Sequence, residues 1–226
     1  MQYLSSAFTK AVGSLFAPGM IGILLMSLVI TITALACFFF GASAFFFWLF
    51  ESSWLAWLGA FGSGIFSWFL FPAIMPIIVN FFDTRIVRLI ERHQYPHAQG
   101  AIEPPFLPEF LHDARFTLKA LLLNLLALPF YLIPVVNLLL FYSLNGYLLG
   151  KEFFIMVARQ HIPIDDAVAL HKRHTRTASL AGTGLAIAAT IPIINLFAPI
   201  WGIAVMTHLY HAINDTPKAE ILPPNQ

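Results

Sequence analysis

Hydrophobic positions dominate the chain, and the few polar ones divide it. From Met20 to Phe50 no charged residue occurs, and a second apolar stretch runs from Ser52 to Phe82. Each is long enough for a helix of roughly 45 Å, more than the roughly 30 Å of a bilayer's hydrocarbon core. Pro18-Gly19 marks the start of the first, since proline suits a helix start, and Trp48, Trp54 and Trp57 cluster at the junction as aromatic residues do at a membrane interface. Pro72 and Pro76 are expected to kink or end the second. Beyond them Ile77, Ile78, Phe81, Phe82, Ile86, Leu89 and Ile90 recur at roughly helical spacing. Asn80, Asp83, Thr84, Arg85, Arg88, Glu91 and Arg92 fill the other face, which predicts an amphipathic helix. Residues 93–113, with Pro96, Pro104, Pro105 and Pro108, read as an extended polar connection.

The second half carries a near-duplication. Ile133-Pro134-Val135-Val136-Asn137-Leu138 returns as Ile191-Pro192-Ile193-Ile194-Asn195-Leu196, each inside an apolar stretch. Proline removes a backbone donor and clashes with the preceding turn, and asparagine accepts turn geometry. Both copies therefore predict a break that splits an apolar stretch into two short helices. In a bilayer such breaks survive only where protein or water covers the freed backbone, and in transporters they mark ligand paths. The flanking arms, 116–133 with 138–150 and 178–191 with 196–211, are short for a full crossing, so two re-entrant hairpins fit better than four spans. Tilted short spans are the alternative.

The expected fold is thus all-α and membrane-integral, with two long transmembrane helices plus two proline-broken re-entrant hairpins. It divides into a first span at 18–50, a second at 52–82, an amphipathic helix and proline-rich connection at 83–115, one hairpin at 116–150, a cytoplasmic segment at 151–177, a second hairpin at 178–211 and a tail at 212–226.

Composition agrees. Charged residues make up 10% of the 226, against about 25% in soluble domains, and mean hydropathy is +0.79. The lone Cys37 excludes an internal disulfide and any multi-cysteine metal site. Met20 to Phe50 is far longer than the roughly 7–15 apolar residues at the heart of a signal peptide, so it reads as a helix. The twelve basic residues fall at Lys10, at Arg85 to Lys119, at Lys151 to Arg176 and at Lys218. All lie on one side if each broken unit returns to its starting face. The positive-inside rule makes that side, with both termini, cytoplasmic. A formal charge of +1 without a basic patch gives no footing for nucleic acid.

Asn145-Gly146-Tyr147-Leu148-Leu149-Gly150-Lys151-Glu152-Phe153, then His171-Lys172-Arg173-His174, then Ile191 to Pro199 resemble the CysZ sulfate-permease family and its etoposide-induced eukaryotic relatives. The order of elements upstream fits as well. The resemblance implies a bacterial inner-membrane protein with two long spans and two partly penetrating hairpins. It further implies a homo-oligomer that takes up sulfate for cysteine biosynthesis. Sulfate permeases of this kind open their first span with a Pro-Gly-Leu-Arg-type sequence; here Pro18-Gly19-Met20-Ile21 stands there, and no basic residue occurs between Lys10 and Arg85.

A sulfate ion needs positive potential and several donors, both available at a helix N-terminus. Three such ends are expected, after Pro18-Gly19, after Asn137 and after Asn195, with the two asparagine amides as added donors. Pro18, Gly19, Asn137 and Asn195 are therefore the candidate substrate contacts for sulfate or a similar small oxyanion; the plainer role for each asparagine is to cap its own break. Pro134 and Pro192 are assigned structural roles. So are Gly146 and Gly150, which with Gly182 and Gly184 permit close helix approach. Arg85, Arg88, Arg92, Lys172, Arg173 and Arg176 suit orientation and contact with anionic membrane lipids.

Two other classes stay open. One is a non-transporting membrane scaffold, lipid-binding or quality-control protein. The other is a metalloenzyme, because His93-x-x-x-His97, His171-x-x-His174 and His208-x-x-His211 resemble the clusters of membrane di-iron desaturases. Pro96 disturbs the first pair, however, and adjacent His-His doublets are absent. No hydrolase, metalloprotease or phosphate-loop motif occurs. The expectation is a non-enzyme without cofactor or metal.

Overall fold

The computed structural model describes residues 2–51, 53–97 and 106–214. Ser52, the middle of the proline-rich connection with Pro104 and Pro105, and the tail with Lys218 lie outside the described residues. Among those described, regular structure is entirely helical. It falls into two compact units, residues 18–82 and residues 1–17 with 83–226.

The first unit is a pair of packed helices, α2 (Met20–Phe50) and α3 (Trp54–Asn80). Gly19 starts α2 from the left-handed region, at φ 89°, where a side chain would be strained. The turn to α3 pivots on Glu51, itself left-handed at φ 46°. The helices meet through aromatic rings. Phe47 sets its edge on Trp57 at 5.1 Å between centroids, and Phe38 tilts over Phe66 at 5.8 Å. This pairing covers little of either surface. In the most apolar eighteen residues of each helix, only 17% and 11% are buried, and large apolar side chains such as Trp48, Trp54, Trp68 and Phe69 face outward. By length and composition both helices can cross a membrane. Helix α3 runs past Pro72 and Pro76 to Asn80, so neither proline ends it.

The second unit begins with a helix the hydrophobic pattern had not singled out, α1 (Gln2–Leu15). It buries Ala7, Ala11 and Ser14 on one stripe. Then come α4 (Asp83–Gln94), α5 (Phe106–Ala127), a short 3-10 turn (Leu128–Leu132), α6 (Pro134–Ala158), α7 (Ile164–Arg173), α8 (Thr175–Ala189) and α9 (Pro192–Asn214). Residues 106–113 are therefore helical, not extended. Pro108 sits in the first turn of α5, where backbone N–H groups have no helical partner to lose.

Both duplicated motifs interrupt the helical path, but the break lies just ahead of each proline, four residues before each asparagine. Ile133 leaves the helical region at φ −98° and ψ 110°, and α6 starts at Pro134. In the second copy α8 ends at Ala189 and α9 starts at Pro192. Proline at the first helical position loses no bond and has its φ already set, so each proline opens a helix. The asparagines lie inside the first turn, with Asn137 N–H donating to Ile133 O (2.7 Å) and Asn195 N–H to Ile191 O (2.8 Å). The arms also run longer than expected: α6 has 25 residues and α9 has 23.

Helix α9 is the centre of this unit and packs against α1, α4, α6 and α8. From Ile200 on it buries Ile203, Ala204, Val205, Met206 and Leu209. Beside it α6 and α8 come into backbone contact. A Cβ on Gly182 would fall on the backbone of Gly146 and Gly150, one on Gly150 would fall on Ala178, and one on Gly146 would meet Thr183. Only glycine permits this spacing.

Gly182→Leu should therefore force α6 and α8 apart. Overpacking of this kind costs about 1–3 kcal/mol, or a fall of about 5 °C in melting temperature for a chain of this size. Gly13→Ala is the control, since nothing lies within 4 Å of its added carbon. Thermal unfolding of the two purified variants checks the difference.

Candidate functional site

The densest polar chemistry in the second unit lies where α1, α4, the turn after α6 and the last half of α9 meet. Helix α4 places it there. Its buried stripe is Ile86, Val87 and Ile90, and the next residue, Glu91, continues that stripe with 1% exposure. The sequence pattern had assigned Glu91 to the polar face; a buried carboxylate was not expected. Charge of this kind is tolerated in a core only when it is paired.

Its partners are two imidazoles. His211 Nε2 donates to Glu91 Oε1 at 2.9 Å, and His161 Nε2 lies 2.9 Å from the same oxygen. Both histidines are almost fully buried, at 4% and 10% side-chain exposure. Aromatic rings hold both imidazoles in place. Tyr95 stacks on His211 (4.1 Å between centroids, 20°), and Tyr210 stacks on His161 (4.8 Å, 15°). Burial pushes the Glu91 carboxyl upward, but the two imidazoles more than offset it and hold it below the usual glutamate range.

A second network begins on Tyr95. Its hydroxyl lies 2.9 Å from His208 Nδ1, and His208 Nε2 lies 2.9 Å from Ser14 Oγ on α1. Ser14 Oγ donates to Lys10 O and accepts from Gln94 Nε2 (2.8 Å). With its single proton committed, the serine oxygen accepts from His208, which places the ring proton on Nε2 and lets Nδ1 accept from Tyr95. Both ring nitrogens of His208 and the Ser14 hydroxyl are thereby satisfied, and α1, α4 and α9 are tied in one register.

At the entrance to α4, Asp83 faces Arg159 Nη2 at 3.7 Å. Burial raises the Asp83 carboxyl above its usual value, only partly countered by the Thr84 N–H and by Arg159.

All four predicted substrate contacts lie elsewhere. Pro18 and Gly19 are exposed at the start of α2, in the other unit. Asn137 is half-buried and Asn195 exposed, each in the first turn of its helix. Ile133 and Ile191 N–H groups bond backward to Phe130 O and Ala188 O, proline has none, and the asparagine N–H groups are used. That leaves the amides of Val135 and Val136 in one copy, and of Ile193 and Ile194 in the other, without a partner inside the helix. Pro199 also removes the helical bond to the Asn195 carbonyl.

A family model matches residues 7–199 of the 226, and it describes the sulfate transporter CysZ and etoposide-induced protein 2.4. The chain belongs to this family. No curated protein and no solved structure matches it. The match to the CysZ and etoposide-induced family takes in both duplicated motifs and the glycines that join α6 to α8, as well as Glu91 and His161.

Histidines that the sequence spaces three or four apart have different partners. His93 Nδ1 contacts the Leu89 carbonyl, while His208 bonds to Ser14 and Tyr95 and His211 bonds to Glu91. His161, in the turn after α6, had no sequence signal, because what qualifies it is proximity to a residue on α4. His171 is buried at 3% exposure beside Tyr147 and Phe154, with no hydrogen-bond partner at Nε2.

Burial, followed by the charge of Lys151, lowers the His171 value to about 4. The folded protein holds this ring neutral, while the unfolded chain takes up a proton near pH 6.5. Its effect on stability is thus absent above about pH 6.5, and destabilisation grows as pH falls from there towards 4, reaching about 3 kcal/mol. His171→Gln should flatten that part of the stability profile. Denaturant unfolding at pH 7 and pH 4.5 on both proteins measures it.

Proposed function

We propose that the chain is a membrane permease for sulfate or a similar small oxyanion, working in the bacterial inner membrane as a homo-oligomer with both termini inside. Membership in the sulfate transporter CysZ and etoposide-induced family is the observation that carries this reading. Two helices with the length and composition to cross a bilayer support it. Their outward-facing tryptophans and phenylalanines form an apolar surface far larger than water tolerates on a free monomer. Residues 18–82 contain no lysine or arginine, whereas Arg85, Arg92, Lys172, Arg173 and Arg176 are exposed in the other unit, a distribution that suits the positive-inside rule and anionic headgroups.

In this reading the two proline-opened helices are re-entrant elements. The anion passes near Asn137 and Asn195, drawn by the dipole and the unpaired amides of each first turn. The start of α2 at Pro18-Gly19 would add a third such end. The amides of Val135, Val136, Ile193 and Ile194 then do the work that an arginine side chain after Gly19 would otherwise share. No nucleotide site is needed; flux follows a gradient or a partner.

Uptake of isotope-labelled sulfate into liposomes containing the purified protein is expected to exceed that of empty liposomes. Asn137→Leu with Asn195→Leu should lower it about tenfold, the loss of one or two hydrogen bonds to an ion. Flux equal to empty liposomes removes the permease reading; unchanged flux in the double variant removes the asparagines from it.

A second reading, a non-transporting scaffold, lipid-binding or quality-control protein, is favoured by one specific feature. The start of α2 carries no basic side chain for an anion. A stable co-purifying partner in the absence of flux would decide for it.

A further inference from the structure

Glu91, His161 and His211 bring three donor atoms together, all within 4.8 Å of one another, from three separate stretches of chain. We propose that this cluster is a binding site for one borderline-soft divalent transition ion of the zinc class, held by a Glu91 carboxylate oxygen and the Nε2 atoms of His161 and His211.

Three observations point to a ligand here and away from a closed hydrogen-bond network. His161 is nine-tenths buried with Nε2 aimed at Glu91 Oε1, yet that atom lacks the alignment of a hydrogen bond and has no other partner. A buried nitrogen in that position calls for something to bind it. Next, both rings present the same nitrogen to one point, each fixed by a stacked tyrosine, Tyr210 on His161 and Tyr95 on His211. Stacking fixes the ring plane, which a ligand needs and a solvated histidine does not. The donor set itself is diagnostic as well. Two imidazoles and one carboxylate suit zinc and its neighbours, whereas calcium and magnesium prefer oxygen alone.

The geometry needs little adjustment. Bonds of about 2.0–2.1 Å in a tetrahedron place donors about 3.4 Å apart. Both nitrogens now lie 2.9 Å from Oε1. An ion would spread these contacts by about half an ångström. Its remaining coordination falls to water or a small anion. Bound there, it would join α4, the turn after α6 and the end of α9, a staple independent of whether the chain moves sulfate.

The test uses the full chain in detergent, stripped with a chelator and titrated with zinc chloride against a competing indicator. One zinc per chain is expected, with micromolar or tighter affinity. At a hundredfold excess over the dissociation constant, melting temperature should rise by about 5 °C. Glu91→Gln, His161→Ala and His211→Ala should each weaken binding by more than about a hundredfold, while His97→Ala and His174→Ala leave it unchanged. Because a core variant can fail to fold, copper(II) on the unaltered protein gives an independent reading, with pulsed EPR expected to show two equatorial imidazoles. The proposal is overturned by the absence of zinc binding below millimolar, by binding that survives the three cluster substitutions, or by a copper spectrum with any other number of imidazoles.

Discussion

A helix whose second half is almost wholly buried, and nevertheless carries two histidines, sets the terms for the second unit. Helix α9 supplies the apolar centre through Ile203, Val205, Met206 and Leu209, and it brings Thr207, His208 and His211 into the same interior. Thr207 bonds back to its own helix, at Ile203 O. An imidazole has no such local option for both nitrogens. Ser14 and Tyr95 must therefore face His208, and Glu91 must face His211, or the core carries unpaired polar atoms at about 1–3 kcal/mol each. Apolar packing would tolerate a small slide of α1 or α4 along α9; these directional contacts do not.

The glycine contact between α6 and α8 acts on the same centre from the other side. Because Gly146, Gly150 and Gly182 allow backbones to touch, Phe154 and Val157 further along α6 are carried into the core. Helix α6 then ends beside α9, and the turn that follows presents Arg159 to Asp83 and His161 to Glu91. A contact made only of small residues thus determines where two buried charges find their partners. Asp83 and Glu91 sit two turns apart on α4, and both are answered from this one turn.

What was legible in the sequence follows from which forces act locally. The two long apolar helices, the start of α2 after Pro18-Gly19 and the amphipathic α4 follow from hydropathy and from proline and glycine chemistry, both confined to a few neighbouring residues. The start of the helix after each break was expected four residues too late, at 138 and 196 where α6 and α9 begin at Pro134 and Pro192, because asparagine was given weight as a turn former where proline as a helix opener decides. Glu91 was assigned to the solvated face because a carboxylate usually belongs there. Nothing within α4 announces that His161 and His211, from far along the chain, will meet it. Helix α1 escaped notice for a related reason: its buried stripe is Ala7, Ala11 and Ser14, small residues whose burial comes from docking on α9 and not from strong hydrophobicity.

The duplicated motif adds a last constraint. Each copy opens a helix with proline, so each leaves two amides that the helix itself cannot satisfy. Around the first copy the surface is apolar, with Leu132, Val135 and Leu139 exposed at 85%, 72% and 69%. Water would satisfy such amides in an ordinary soluble protein, and no one would ask about them. In the bilayer proposed for this chain, hydrocarbon cannot, and each unmet donor costs several kcal/mol. Apolar flanks and unsatisfied donors at one helix start are compatible only if an acceptor reaches that point, whether water along a path, a neighbouring copy or an anion. In the reading proposed above, the same sequence solution at Pro134 and at Pro192 places that requirement at two helix starts.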